Sequence, residues 1–278
     1  MTGVLVVGAT GTVGTLVAER LADAGVAVTA AARGGAVRFD WHDPDTWDAA
    51  LTGVDAMYLI APGGDADPVL AMKPFLDLAL AAGVKRAVLQ SASSVRVGDP
   101  GLGRVHEAVA STFPQWAVLR PCWFMQNFTG GHMQAAAIRT RGEIVSATGT
   151  GAVGFVDARD IARVAAAVLT ADDAPNRDAV LTGPQALTYD EVAEVISDAS
   201  GRLVEHVGVS EGRLAEIFEE DGVPAEYART LAAMDTAIAG GAEDRVTDEV
   251  PWLTGTAPRP FNEFVQEVLW EVGGTRSV

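Results

Sequence analysis

The feature that most constrains this chain is a glycine-spaced loop between an apolar run and a helical segment near its start. Residues 4–7 read VLVV and GATGTVG follows at residues 8–14. Residues 12–24 then place Val13, Leu16, Val17 and Leu21 on one helical face. Gly8, Gly11 and Gly14 thus punctuate a strand–turn–helix. The first glycine permits a tight turn, the second lets the backbone approach a pyrophosphate, and the third allows close helix–strand packing. Thr10, Thr12 and Val13 share this turn, where the helix start offers unpaired N–H donors to an anion.

The rest of the N-terminal half repeats the alternation. Strands are expected at residues 26–31, 36–39, 56–60, 86–90 and 116–120, with helical segments at 45–51 and 75–82. The strands are continuous apolar runs rather than alternating ones, which implies a parallel sheet covered on both faces. The fold expected is therefore α/β, a Rossmann-type doubly wound parallel sheet. After residue 130 the pattern changes to short strands (143–146, 179–182) among helices at 157–170, 189–200, 211–221, 225–239 and 262–272. This divides the chain into a nucleotide-binding core, 1–130, and a smaller, mostly helical part, 131–278. The second part closes a substrate cleft, and some of its segments return to the sheet. Residues 240–260 read as irregular.

Composition excludes several classes of partner. Acidic residues outnumber basic ones 37 to 20, a formal charge of −17, which repels nucleic-acid backbones. No stretch approaches the roughly twenty apolar residues of a membrane span. No basic segment precedes the first apolar run, which argues against a signal peptide. Cys122 is the only cysteine. It permits no internal disulfide and suits a cytoplasmic setting. No pair of histidines has ligand spacing, so no metal is expected.

In an acidic chain the few local cations matter. Cofactors with a free ribose 2′-OH are usually gripped by an acid at the end of the second strand. That place here reads Ala30-Ala31-Ala32-Arg33. An Arg fork in place of an acid suits a 2′-phosphate, so NADP(H) is the expected cofactor.

GATGTVG, FDWHDPDTW (39–47), MKPFLDLALAAGVKRAVLQSAS (72–93), VLRPCWFMQNF (118–128) and LTGPQALTYDEVAEVISDASG (181–201) together resemble one family. It is the NmrA-like branch of the atypical short-chain dehydrogenases/reductases, and within it the relatives of agroclavine and festuclavine dehydrogenases. The likeness spans nearly the whole chain. It implies NADP(H) along the strand C-termini, with Thr10 to Val13 at the phosphates and Asp40 and Trp41 near the adenine. Ala61, Pro62, Gly63, Ser91, Ala92, Ser93 and Pro121 would lie toward the nicotinamide. Each of these positions also falls at the C-terminal end of an expected strand, where open α/β sheets bind ligands.

One departure from the wider family is decisive for the chemistry. Most short-chain dehydrogenases use a Tyr with a Lys four residues later. The three tyrosines here, Tyr58, Tyr189 and Tyr227, are followed at that spacing by Pro62, Ala193 and Leu231. The only lysines are Lys73 and Lys85. Carbonyl reduction builds alkoxide charge and profits from a proton donor, whereas hydride addition to an iminium, quinone or extended enone can rely on positioning. An NADPH-dependent reductase of such a small apolar acceptor is the first expectation. A redox-sensing NADP(H)-binding regulator with a protein partner and no turnover is the alternative. Ser93 and His106 are the candidate catalytic side chains; a turn-capping role for Ser93 and a structural role for His106 stand beside that reading. Trp123, Phe124, Phe128, His132 and Met133 are the candidate substrate contacts. They form either a flat wall for an aromatic or polycyclic molecule or core packing.

Overall fold

The computed structural model describes residues 3–273, and side chains as far as residue 268. In chain order the first elements are β1 (Gly3–Val7), α1 (Thr12–Asp23), β2 (Ala27–Ala32), β3 (Val37–Arg38), α2 (Trp47–Leu51) and β4 (Ala56–Ile60). There follow α3 (Val69–Ala81), β5 (Arg86–Gln90), α4 (Leu102–Thr112), β6 (Gln115–Pro121), α5 (Met133–Arg141), β7 (Glu143–Ser146) and β8 (Ala152–Val153). Next come α6 (Ala158–Thr170), β9 (Arg177–Leu181), β10 (Leu187–Thr188), α7 (Tyr189–Ser200) and β11 (Glu205–Gly208). The chain closes with α8 (Glu211–Glu220), α9 (Ala225–Ala239), α10 (Glu249–Thr254) and α11 (Phe261–Gly273).

Two compact units result. Among the described residues the first comprises 3–121, 158–181 and 248–256, the second 122–157, 182–247 and 257–273. Unit one is built on a seven-stranded sheet ordered β3-β2-β1-β4-β5-β6-β9, and every pairing in it is parallel. Strand order reverses at β1, whose neighbours are β2 and β4, so a ligand crevice is expected at their C-terminal ends. The strands are apolar on both faces because both are covered. Leu5, Val7, Met57, Leu59, Ala87, Leu89 and Val118 pack with α2, α3 and α4 residues such as Trp47, Met72, Phe75, Val105 and Val109. Tyr58, Val6 and Val88 face the opposite way, toward the side packed by α1 and α6. The Rossmann-type sheet follows the pattern of the sequence.

Several helices escape the sequence pattern. α3 starts at Val69, not residue 75, and runs through Pro74. Pro74 is the sixth residue of α3, inside the helix, and is itself exposed; its ring removes one interior backbone donor. α10 lies inside residues 240–260, which read as irregular, because a helix of six residues has no room for a periodic signature. α5 reads MQAAAIRTR and buries only Ala135 and Ala137, so it too lacks an apolar stripe.

Unit two carries two small two-stranded sheets, β8 with β10 antiparallel and β7 with β11 parallel. Its main core gathers Met125, Phe128, Ile144, Phe155, Tyr189, Val192, Ile196, Phe261 and Phe264. A second cluster joins α8 to α9 through Leu214, Phe218, Ala228 and Ala232, with Met133 packed against it. α7 is framed by a capping box in which Thr188 and Glu191 exchange hydrogen bonds, and by Gly201 in the left-handed conformation. No helix among the described residues is long and apolar enough to cross a membrane.

Candidate functional site

The crevice at the strand reversal is a real cavity of about 510 Å³. Its lining includes Gly8, Thr10, Gly11, Arg33, Asp40, Trp41, Ala61, Pro62 and Gly63, drawn from the loops after β1, β2, β3 and β4. The three glycines divide the work in a way the spacing alone does not reveal. Gly8 has φ +77°, a left-handed conformation that L side chains rarely adopt. A Cβ on Gly14 would lie 2.1 Å from the carbonyl oxygen of Gly8, so α1 can pack on its own loop only with glycine there. At Gly11 a Cβ would meet a single atom, the Gly8 oxygen at 3.3 Å. The open side of Gly11 is the groove itself.

Gly11 is also the N-cap of α1 and carries no capping side chain, and the first turn holds no acid. The first N–H groups of such a helix have no intrahelical acceptor and carry the positive end of the helix dipole. Thr12 is exposed at this start, while Val13 and Gly14 are buried beneath it. Arg33 follows β2 directly, is exposed, and has no side-chain partner among the described residues. A chain of this net charge keeps one uncommitted guanidinium at the rim of the groove.

The segment after β3 is held rigid from below. Trp41 is buried, donates its indole N–H to the Ile60 carbonyl at 3.1 Å, and meets Phe39 and Phe75 edge to face. Trp47 donates to the Asp40 carbonyl at 2.9 Å. The Asp40 carboxylate accepts the His42 N–H at 3.0 Å, a local turn that fixes where the acid points. Trp41 therefore serves the core and the cavity wall at once. His42 also lines the cavity, and its Nε2 lies 3.2 Å from Asp65 in the loop after β4. Sequence reasoning passed over His42, although it sits inside the FDWHD segment.

Ser91, Ala92 and Pro121 stand at the ends of β5 and β6, beyond the cavity lining. The Ser91 N–H donates to the Leu119 carbonyl at 2.7 Å and the Ser93 N–H to that of Pro121 at 2.9 Å. Ser91 and Ser93 are both buried, and Ala92 is half-buried. His106 takes a different place. Its ring packs 5.8 Å from that of Trp116, the second residue of β6, and only 3% of the residue is exposed. Burial lowers its pKa, a tendency that Asp178 opposes and Arg120 reinforces, so the imidazole is held neutral. His106 lies outside the cavity lining but within electrostatic reach of Arg120 and Asp178.

None of the three tyrosines lines the cavity. Tyr58 is buried in β4 with its hydroxyl on the Gln90 side chain, Tyr189 belongs to the unit-two core, and Tyr227 is exposed on α9. Among the candidate substrate contacts, Trp123 and Phe124 are half-buried. Phe128 is 7% exposed and lies within a ring cluster with Phe155, Tyr189 and Phe261. Met133 packs toward the α8–α9 cluster, and His132 caps α5 by accepting the Gln134 N–H at 3.3 Å. A Ser146–His206–Asp190 chain in unit two has hydrogen bonds of 2.8 and 2.9 Å. Its serine is fully buried and its aspartate two-thirds exposed, the reverse of what a nucleophile needs. Among the described residues no group of three His, Cys, Asp or Glu side chains converges on a metal position.

The geometry now has a counterpart in known proteins. Residues 8–172 match the model of a family described as NAD(P)H-binding. The chain belongs to that family. It is 45% identical over 269 residues to an uncharacterized oxidoreductase, YesF, of Bacillus subtilis (strain 168), covering 94% of this chain and 93% of that one. It is 41% identical to agroclavine dehydrogenase of Claviceps purpurea (strain 20.1), covering 92% and 89%. The structure of Citrobacter sp. triphenylmethane reductase complexed with NADP(H) superimposes with a TM-score of 0.75 at 26% identity, covering 96% of this chain and all of that one. The protein is an NAD(P)H-dependent oxidoreductase of NmrA-like fold, as the glycine loop and the FDW and RPxWFMxNF segments imply.

Proposed function

We propose that the protein is an NADPH-dependent reductase of small, apolar, conjugated acceptors such as iminium ions, quinones or enones. The observation that carries this reading is a fitted nucleotide groove in a chain with no Tyr–Lys pair. Bound NADPH supplies a hydride. An iminium that accepts it becomes a neutral amine, and a quinone or enone spreads the new charge over its conjugated system. Neither demands an alkoxide stabiliser from the protein. What the chain provides is position: Gly8–Gly11 and the start of α1 for the pyrophosphate, Arg33 for the 2′-phosphate, Asp40 and Trp41 on the adenine side. Ser91, Ala92 and Pro121 serve the nicotinamide side. Trp123 and Phe124, the half-buried aromatic residues that follow Pro121 in the chain, are the candidates for contact with an apolar acceptor. The relatives named agroclavine dehydrogenase and triphenylmethane reductase act, by those names, on multi-ring organic compounds, which favours such a class here.

The test is NADPH oxidation against panels of iminium ions, naphthoquinones and enones, followed by single-turnover rates with NADPH deuterated on the transferred face. Ser93→Ala and His106→Ala are each expected to keep most of the rate of the chemical step. Removing a true general acid typically costs about 10²–10⁴-fold. A collapse of that size with cofactor binding intact would show that a proton donor exists. Complete inertness across the panels would overturn the reductase.

Cofactor choice is checked separately. Arg33 has no competing acid, so NADPH should bind about tenfold or more tighter than NADH, and Arg33→Ala should erase most of that difference. Equal affinities in the unmodified protein, measured by fluorescence titration, would sink the assignment of Arg33.

A further inference from the structure

The turn after β5 is gripped by β6 in more ways than a parallel ladder requires. Leu119 and Pro121 accept the N–H groups of Ser91 and Ser93. Between them in sequence, Arg120 sends its side chain to the same turn: one terminal nitrogen donates to the Ser93 carbonyl at 2.7 Å. The other terminal nitrogen lies 2.5 Å from the Asp178 carboxylate on β9, the neighbouring strand. Ser93 is thus fixed at its N–H by the backbone of one β6 residue and at its carbonyl by the side chain of another. The Arg120 side chain is 13% exposed and that of Asp178 38%, so both contacts are partly screened from water. Burial raises the Asp178 pKa, but the hydrogen bond and charge of Arg120 more than offset this, and the carboxyl is held below its ordinary range. An ion pair alone would leave the turn free to flex; a part-buried fork that spends one arm on a backbone carbonyl restrains it. Ser91, in the same turn, is 7% exposed and its hydroxyl has no partner among the described residues. The direction of that hydroxyl is set by the backbone that Arg120 helps to hold.

We propose that Arg120 is a positioning residue for hydride transfer, fixing the turn of residues 91–93 against which the nicotinamide end of the cofactor rests. The proposal builds on the reductase reading given above. Arg120 touches neither cofactor nor acceptor; it acts through Ser93, with Asp178 holding its other arm. Lysine cannot reproduce this, because an ammonium is a point donor and not a planar fork.

Arg120→Met, Arg120→Lys and Asp178→Asn separate this role from plain stability. Hydrogen–deuterium exchange over residues 88–96, NADPH affinity, and the single-turnover rate to a naphthoquinone are measured well below each variant's Tm. In Arg120→Met, exchange in the turn is expected to rise about tenfold or more, with β1 and β4 unchanged, since release of one anchor opens a local unit. The transfer rate should fall about 10- to 100-fold, the scale set by an ångström of misplacement, while NADPH affinity stays within about threefold. Arg120→Lys should fall between the two, and Asp178→Asn should loosen the turn less than Arg120→Met. Exchange and transfer rate both within about twofold of the unmodified protein in Arg120→Met would overturn the proposal. If Arg120→Met does not fold, Arg120→Lys and Asp178→Asn decide by the same comparison. If the unmodified protein transfers no hydride to the quinone, the rate is read with an acceptor that the panels show it reduces. Inertness to every acceptor overturns the reductase reading and with it the role in hydride transfer, while the exchange data still show whether Arg120 anchors the turn.

Discussion

Valine at Gly11 is expected to abolish NADPH binding in a folded protein, whereas valine at Gly14 is expected to damage the fold itself. Gly11 has φ −91° and ψ 171°, an extended conformation open to any residue, and a Cβ there meets one oxygen at 3.3 Å. The added isopropyl group has nowhere to point but the groove, where the pyrophosphate must approach the backbone. Affinity should fall by about hundredfold or more, roughly the 2.7 kcal/mol that two decades represent. At Gly14 the added Cβ would stand 2.1 Å from a backbone carbonyl, and neither α1 nor the loop can yield without the other. Overpacking of this kind costs typically 1–3 kcal/mol and sometimes more. Circular dichroism and thermal melts read the fold, and fluorescence titration reads the cofactor. A folded Gly11→Val variant with normal NADPH affinity would show that the pyrophosphate does not pass that point. A Gly14→Val variant as stable as the unmodified protein would show that α1 can shift.

The contrast between the two glycines marks the limit of what the sequence discloses. The G-x-x-G-x-x-G spacing places three glycines in one turn, but which one guards the ligand and which the packing depends on atoms far closer than any periodicity resolves. The parallel sheet was legible because buried strands are continuous apolar runs such as Val4 to Val7 and Ala56 to Ile60. Strand positions in turn locate the residues at their C-terminal ends, which is why Arg33, Asp40 and Ala61 to Gly63 could be named from spacing and family likeness. Arg120 was not legible. In sequence it is one charged residue at the end of an apolar strand, and its value comes from a carbonyl 27 residues away in the chain. His106 illustrates the opposite limit: its position in the sequence leaves a chemical and a structural role open, and only the folded helix shows that its ring packs beside Trp116.

The aromatic run after β6 shows the same ambiguity, and it yields the other large effect. Phe128→Ala is expected to cost stability, whereas Trp123→Ala is expected to cost turnover. Phe128 has three aromatic neighbours at edge-to-face geometry, with ring centroids 5.3 Å from Phe155, 5.5 Å from Phe261 and 6.0 Å from Tyr189. Truncating so buried a ring leaves a cavity that the neighbours fill only in part, at about 3–5 kcal/mol. For a protein of this size that is a drop in Tm of roughly 10 °C. Phe128→Leu should recover a large share of it, because leucine refills most of the volume. Trp123 is half-buried at the fringe of the same core, so its loss removes less packing and more accessible apolar surface. In the reductase it should lower kcat/KM for polycyclic acceptors through lost binding and orientation, with little change in Tm. Thermal melts on both variants, run beside acceptor titrations at saturating NADPH, decide the matter. A Phe128→Ala protein that melts within about 2 °C of the unmodified one while its acceptor KM climbs would place that ring on the substrate and not in the core.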